Sequence, residues 1–380
     1  YLINNFQFES MLHLGPRTFP EIGGEVVQNT AFIFGNFEPT NKCVFVRLTD
    51  FGDAQLKEDK AIEANKNISC GWFFTANQNS FEEIPGSPIA YWLKPDFIRL
   101  FSSPKIEEFY ETKKGLVTMN DQLFIKFWWE VNYSKIVFEA ENSDEFVRKN
   151  GRWCPYKSGG GFKKWFGNNY YVINWEANGE KLKKYITDKS GDHYSRQIFN
   201  ESFYFKESVS WSSISSSNSS FRYHPKGFIF GSAGPSLFRK NKENSIFKAM
   251  GFLNSNITEP IVDIINPTFN LGPTVIRQIP FPIVDSNELE LLAKECINIC
   301  IEDDNSNECS WNFKTNNTSR ETKKIQSGFQ KQLSYTISQI DLLKEKEEEI
   351  NNKLRVITKL DFRTNVEYSL ITLRLNPSYS

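Results

Sequence analysis

A mixed fold, α/β to α+β, is predicted by three observations. Short apolar runs of strand length open the chain, an aromatic-rich stretch broken by Gly, Asn and Ser fills its middle, and helical periodicity takes over near the end. At the start, "MLHLG" and "TAFIFGNF" read as strands joined by the Gly- and Pro-containing "PRTFPEIGGEVVQN", and "CVFVRLTD" (43–50) reads as another. "FGDAQLKEDKAIEANKN" places Ala, Leu and Ile at roughly helical spacing, and "SFEEIPGSPIAYWL" reads as a turn followed by an aromatic segment. From about 110 to 285, "QLFIKFWWEV", "NNYYVINW", "KGFIFGSAG" and "IFKAMGFLNS" read as short aromatic strands. "ELELLAKECINICIEDD" (288–304) starts a helical region. "SGFQKQLSYTISQIDLLKEKEEEINNKLRVI" (327–357) predicts one long amphipathic helix or a pair, with Leu333, Ile337, Ile340, Leu343 and Ile350 at three- and four-residue steps. "EYSLITLRL" is strand-like. No internal repeat is evident, and the serine run is the only low-complexity stretch.

The 380 residues suffice for two or three domains with a sizeable core, and 15% aromatic content argues for packed structure over most of the length. The formal net charge is −1, so whole-chain charge names no partner. Its distribution is more informative. Residues 148–226 hold 14 Lys/Arg against 6 Asp/Glu, whereas 285–308 hold 8 acids against one Lys. A basic middle beside an acidic stretch points to a polyanion surface on one segment.

The six cysteines, Cys43, Cys70, Cys154, Cys296, Cys300 and Cys309, show no CxxC pair. They read as reduced thiols of a cytosolic protein, with no metal site. There is no signal peptide and no apolar run long enough to span a membrane. The chain starts at Tyr1 and reads as a piece of something longer.

Catalytic motifs are missing. No GxxxxGKS/T phosphate loop, HExxH, GxSxG or glycine-rich dinucleotide turn occurs, and no nuclease-type acid–lysine cluster is evident. His13, His193 and His224 are isolated and read as structural. Two tetrapeptides, Asn266-Pro267-Thr268-Phe269 and Asn376-Pro377-Ser378-Tyr379, approach the N-P-P-Y type of adenine-methylating motif. Both lack the second proline that shapes that loop, so each reads as a structural loop.

What remains is binding. Residues 148–226 interleave Lys and Arg with Trp153, Tyr156, Trp165, Tyr170, Tyr171, Trp175 and Trp211, and add Asn168, Asn169, Asn174 and the serines of "SVSWSSISSSNSSFRY". Phosphate oxygens accept from Lys, Arg, Ser and backbone N–H groups, while Arg, Lys, Asn and Gln read base edges. "KSGGGFKKWFGNN" adds glycines that let a basic backbone approach something closely, or simply form a hairpin.

Several strings occur in one order with a known family. "LHLGPRTFPEIGGEVVQNTAFIF", "IPGSPIAYWL", "KGLVTMND", "NGRWCPYKSGGGFKKWFGNNYYVINWE", "VSWSSISSSNSSFRYHPKGFIF", "NPTFNLGPTVIRQIPFPI", "SWNF" and "ITLRLNPSY" resemble segments of PglX, the adenine-specific DNA methyltransferase of BREX-type phage defence. The resemblance covers nearly the whole chain, and "KSGGGFKKWFGNNYYVINWE" is its most specific part. It implies the end of a Rossmann-like methyltransferase core at 1–50, an aromatic-rich target recognition domain at 51–285, and a helical C-terminal region at 286–380. The S-adenosylmethionine loop and the true catalytic motif are expected before Tyr1, so this stretch alone is expected to be inactive and without cofactor. It also looks to stop short of the family's C-terminus.

On this reading the partner is double-stranded DNA, and the protein is cytoplasmic. Trp211 is expected to anchor a loop whose Ser212, Ser213 and Ser215 meet DNA, with charge from Arg222 and Lys226. Lys157, Lys163 and Lys164 are expected to flank the duplex, and Asn266 and Asn270 to fix the fold. The longer run "SSSNSS" departs from the family pattern. The competing reading is a protein-interaction module that docks other BREX proteins or a phage DNA mimic.

Overall fold

The computed structural model describes residues 2–19, 21, 27–37, 42–214, 219–282, 287–314 and 325–367. They belong to two compact units, Tyr1–Ser102 and Ser103–Ser380. The chain is mixed α/β, with several small sheets. Most of the "EYSLITLRL" segment lies outside the described residues. Among the described residues, no helix is long and apolar enough to cross a membrane.

The first unit is built on strands β1 (Gln7–Gly15), β2 (Asn29–Gly35), β3 (Lys42–Arg47) and β4 (Phe73–Asn77), in the order β2-β1-β3-β4. Only the β1/β3 pairing is parallel. Helix α1 (Ala54–Lys66) joins β3 to β4 and starts where the Asp53 carboxylate accepts the Leu56 N–H at 2.8 Å. Phe8 and Phe45 pack with Phe81 and Tyr91, and the Phe45 and Tyr91 rings stack at 4.6 Å.

The second unit holds strands β5 (Tyr110–Lys113), β6 (Ile125–Phe127), β7 (Trp153–Lys157), β8 (Tyr171–Asn174), β9 (Ser208–Trp211), β10 (Phe221–His224), β11 (Ile229–Phe230) and β12 (Ser236–Arg239). They form two sheets, β10-β9-β12-β5 and β11-β7-β8-β6. Helix α2 (Glu176–Ser190) contributes Leu182 and Ile186 to a core with Phe146, Trp175, Phe205 and Phe230.

Helices α3 (Ile246–Leu253), α4 (Thr258–Ile265), α5 (Pro273–Gln278), α6 (Asn287–Asn305) and α7 (Ile325–Thr358) follow. "IFKAMGFLNS", expected as a strand, is α3. Its Ile246, Ala249, Met250 and Leu253 are buried at helical spacing with Phe252 beside them, but eight mostly apolar residues rich in Phe and Ile read equally as a short buried strand. "QLFIKFWWEV" gives only the three-residue β6 before a single tight turn at Trp128–Glu130. Helix α6 buries Leu289, Leu292, Ala293, Cys296 and Cys300 at three- and four-residue spacing against α3 and α7. Of the two options for 327–357, one continuous helix is the outcome. Its buried row is Thr336, Ile340, Leu343, Glu347, Ile350 and Leu354, whereas Leu333 and Ile337 are exposed. All six cysteines are free, four of them buried.

Candidate nucleic-acid interface

The glycine-rich loop begins where β7 ends. Gly159 and Gly160 have φ of +84° and +123°, and a Cβ at Gly159 would stand 2.8 Å from the Ala233 carbonyl oxygen. At Gly160 a Cβ would meet the Asn168 amide at 2.7 Å. These glycines let the loop approach the chain's own backbone and side chains, which gives them a structural reason. Ser212 Oγ donates to the Gly160 carbonyl at 2.7 Å and Asn168 Nδ2 to the Gly161 carbonyl at 2.9 Å, tying the loop down on both sides.

The chain then runs beside β10. The Trp165 N–H donates to the Phe221 carbonyl at 2.9 Å, and the Tyr223 N–H to the Trp165 carbonyl at 2.8 Å. Trp165 is buried at φ +68°, with its indole N–H donated to Glu347 of α7. Lys164 pairs with the other oxygen of that carboxylate at 3.1 Å, with side chains 17% and 3% exposed for Lys164 and Glu347. Lys164 is therefore neutralised inside the fold. Lys163 is half-buried. It acts on Asp304, whose carboxyl burial pushes up and Lys163 pulls back down.

Strands β9 and β10 place the serine segment. They pair with Trp211 opposite Phe221, Ser210 opposite Arg222 and Ser208 opposite His224. Opposite residues share a face. One face carries Val209, Trp211, Phe221 and Tyr223 toward α3, with Tyr223 packed on Phe247 at 5.3 Å. Trp211 is fully buried, and its Nε1 donates to the Leu271 carbonyl at 2.7 Å. The other face carries Ser208, Ser210, Arg222 and His224 inward.

Arg222 is buried beneath the loop. Its Nη2 donates to Ser212 Oγ at 3.1 Å, and its Nη1 lies 3.4 Å from both the Lys163 carbonyl and Ser220 Oγ. Lys157 is buried as well and donates to Ser208 Oγ. Burial holds Lys157 down at about 7 and Arg222 at about 10. Neither reaches solvent: Lys157 is turned toward Ser208 of the other sheet, and Arg222 lies under Ser212, Ser220 and the Lys163 carbonyl.

Beyond β9, the Ser213 N–H donates to the Ala233 carbonyl at 3.0 Å, and its carbonyl accepts the Leu271 N–H at 2.8 Å. Ile214 bridges to Asn270. Asn266 Nδ2 donates to the carbonyls of Thr268 at 3.0 Å and Asn270 at 3.2 Å, closing the "NPTFN" turn. Ser215 lies outside the described residues. Lys226 lies past the other end of β10, 58% exposed and paired with Glu141 at 2.6 Å.

The named residues thus divide. Ser212, Ser213 and Lys163 join the glycine loop and the "NPTFN" turn in one continuous rim. Lys157 and Arg222 support it from inside, Lys164 is paired, and Lys226 sits a strand's length away. The rim also presents two side chains that sequence reasoning passed over, Ile214 at 74% and Phe269 at 81% exposure. An aromatic enclosed by turn-forming residues was the available signal, since such a turn has no core to place it in.

Methyl transfer in the related family implies S-adenosylmethionine. Among the described residues, the turn from β3 to α1 carries Gly52 alone, and Asp53 already caps that helix. That turn does not fit the cofactor.

No family model matches the chain. It is 35% identical to the adenine-specific methyltransferase PglX of Lacticaseibacillus casei (strain Zhang) over 351 residues, covering 90% of this chain and 29% of that protein. It is 33% identical to the adenine-specific methyltransferase BrxX of Escherichia coli O9:H4 (strain HS) over 383 residues, covering 100% of this chain and 30% of that protein. By sequence the chain falls in the PglX-type family. It spans less than a third of the length of these PglX-type relatives. Among solved structures, the type IIG restriction endonuclease BpuSI aligns at a TM-score of 0.31 and 11% identity, over 93% of this chain and 45% of that one. A likeness at that score carries no structural argument.

Proposed function

We propose that this chain forms the DNA-recognition portion of a PglX-type adenine methyltransferase, holding duplex DNA so that a target adenine can be presented for N6 methylation elsewhere in the enzyme. The observation that carries the reading is the likeness to two named adenine-specific methyltransferases along 90–100% of this chain. The rim supplies suitable chemistry. The Ser213 hydroxyl suits a phosphate oxygen, Lys163 adds charge, and the exposed Phe269 offers a ring to stack on or wedge between bases.

In the functional division we propose, residues 1–50 close a Rossmann-like methyltransferase core, 51–285 recognise the target, and 286–380 form a helical arm. Phage defence of the BREX type, use of S-adenosylmethionine by the whole enzyme, and a cytoplasmic setting belong to the same proposal. Lys157, Arg222 and Ser212 serve the rim from within, Ser212 by tying down the glycine loop, whereas Lys163, Ser213 and Phe269 make the contacts.

A gel-shift titration of duplex DNA against salt tests it. Binding at low salt that falls steeply as salt rises supports the reading, because neutralised phosphates release counterions. No binding by folded protein at low salt counts against it. A second reading, docking of another protein, is favoured by Phe329, Leu333 and Ile337, which stand exposed at four-residue steps along α7. DNA binding that survives charge substitution at all three of those positions separates the two.

A further inference from the structure

The inner face of the sheet β10-β9-β12-β5 has an unusual composition. Register places Ser208 and Ser210 of β9 beside His224 and Arg222 of β10, and Ser236 of β12 beside Ser210. The facing layer contributes Lys157 from the end of β7, which donates to Ser208 Oγ and lies over the Phe228 and Phe230 rings at 5.6 and 5.8 Å. Every one of these six polar residues is at most 3% exposed.

Three are bases, and no acid answers them. The groups acting on Lys157 and Arg222 include no carboxylate, and those acting on His224 are Lys157 and Arg222 themselves. Among the described residues, none of the three makes an ion pair. Elsewhere in this unit a buried ionic group does find its opposite, as Glu347 does at Lys164. Burying positive charge without a counter-charge is costly, and partnerless buried polar groups are rare in native folds. Both ring nitrogens of His224 are buried with no hydrogen-bond partner, on the same face as Ser208, to which Lys157 donates. Serine hydroxyls are small and can donate, so this layer offers donors and little bulk.

We propose that this buried layer is a binding site for a small inorganic anion, held by Lys157 and His224 with the hydroxyl of Ser208. The ion supplies the missing negative charge and an acceptor for the unpartnered imidazole, and so sets the sheet on which the rim is mounted. The site is distinct from the exposed rim and does not depend on DNA binding.

The test uses the full chain without DNA. Crystals grown with bromide as the added anion are expected to show an anomalous peak within hydrogen-bonding reach of Lys157 Nζ and the His224 ring. Crystals grown with orthophosphate distinguish a spherical from a tetrahedral ligand, and occupancy by either supports the site. In solution, replacing methanesulfonate by bromide or orthophosphate at constant ionic strength is expected to raise Tm, as selective binding to the folded state requires. That rise is expected to vanish in Lys157→Met. Absence of both a bromide peak and phosphate density between these residues overturns the proposal, whether or not the variant folds. So does a Tm rise that persists unchanged in a folded Lys157→Met protein.

Discussion

Glu347 of α7 and Lys164, just past the glycine-rich loop, meet at 3.1 Å, and the same carboxylate takes the indole N–H of Trp165. One buried acid thus joins the last long helix to the segment that lies beside β10. Removing one member of a buried pair leaves the other charge unsatisfied, at about 3–5 kcal/mol when both are deeply buried. Lys164 keeps some solvent, so Glu347→Ala is expected to cost about 2–3 kcal/mol by urea denaturation. Glu347→Gln keeps an acceptor for the indole and is expected to lose less. Equal losses in the two variants would show that the acceptor kept for the indole contributes nothing, and an undiminished Glu347→Gln protein would show the same of the charge.

The placement of the lysines ranks their effects on DNA. Lys163→Glu is expected to weaken duplex binding and to lower the slope of log affinity against log salt by about 1, as for a lysine that neutralises a phosphate, whereas Lys226→Glu, away from the rim and paired with Glu141, is expected to leave the slope nearly unchanged. Lys164→Glu would strike chiefly at stability, since it sets two acids together at Glu347. Gel-shift titrations at several salt concentrations, run beside melting curves, separate the two effects. A slope left unchanged by Lys163→Glu removes that residue from the interface.

Phe269 offers the cleanest separation of binding from folding. It is 81% exposed, so Phe269→Ala is expected to change stability by less than about 0.5 kcal/mol. If the ring stacks on or between bases, the same change is expected to cost about 1–3 kcal/mol of binding, or roughly 5- to 150-fold in affinity. Fluorescence anisotropy with labelled duplex checks it, and undiminished affinity would falsify the wedge.

Lys157 makes stability depend on pH. Burial holds it at about 7 against an ordinary value of 10.5. Between those values the unfolded chain carries the proton and the folded chain does not. Stability in methanesulfonate buffer is therefore expected to rise from about pH 7 toward 10.5 and to be lost as pH falls through that range. His224, held well below 6.5 by burial and by its two basic neighbours, adds a further loss below about 6.5. Lys157→Met is expected to flatten the upper part of the curve, as read by denaturant midpoints across the range. A folded variant with the parent's slope would remove Lys157 as the cause.

Strand-length apolar runs and helical periodicity made much of the architecture readable in one dimension. "CVFVRL", "NNYYVINW" and the 327–357 segment carry local signals that packing later respects, and the order of the quoted strings already pointed to a PglX-type relative. The α3 segment was misread, because eight mostly apolar residues are too short a run for spacing alone to separate a helix from a buried strand. The candidate site was legible as a region but not as a set of roles. Lys157, Lys163, Lys164, Arg222 and Lys226 look alike as letters. Strand register turns Lys157 and Arg222 inward, and a carboxylate 183 residues away neutralises Lys164. Composition and order along the chain determined which chemical groups are present. Only the tertiary structure decided which of them face water, because burial and pairing depend on neighbours that sequence distance does not encode.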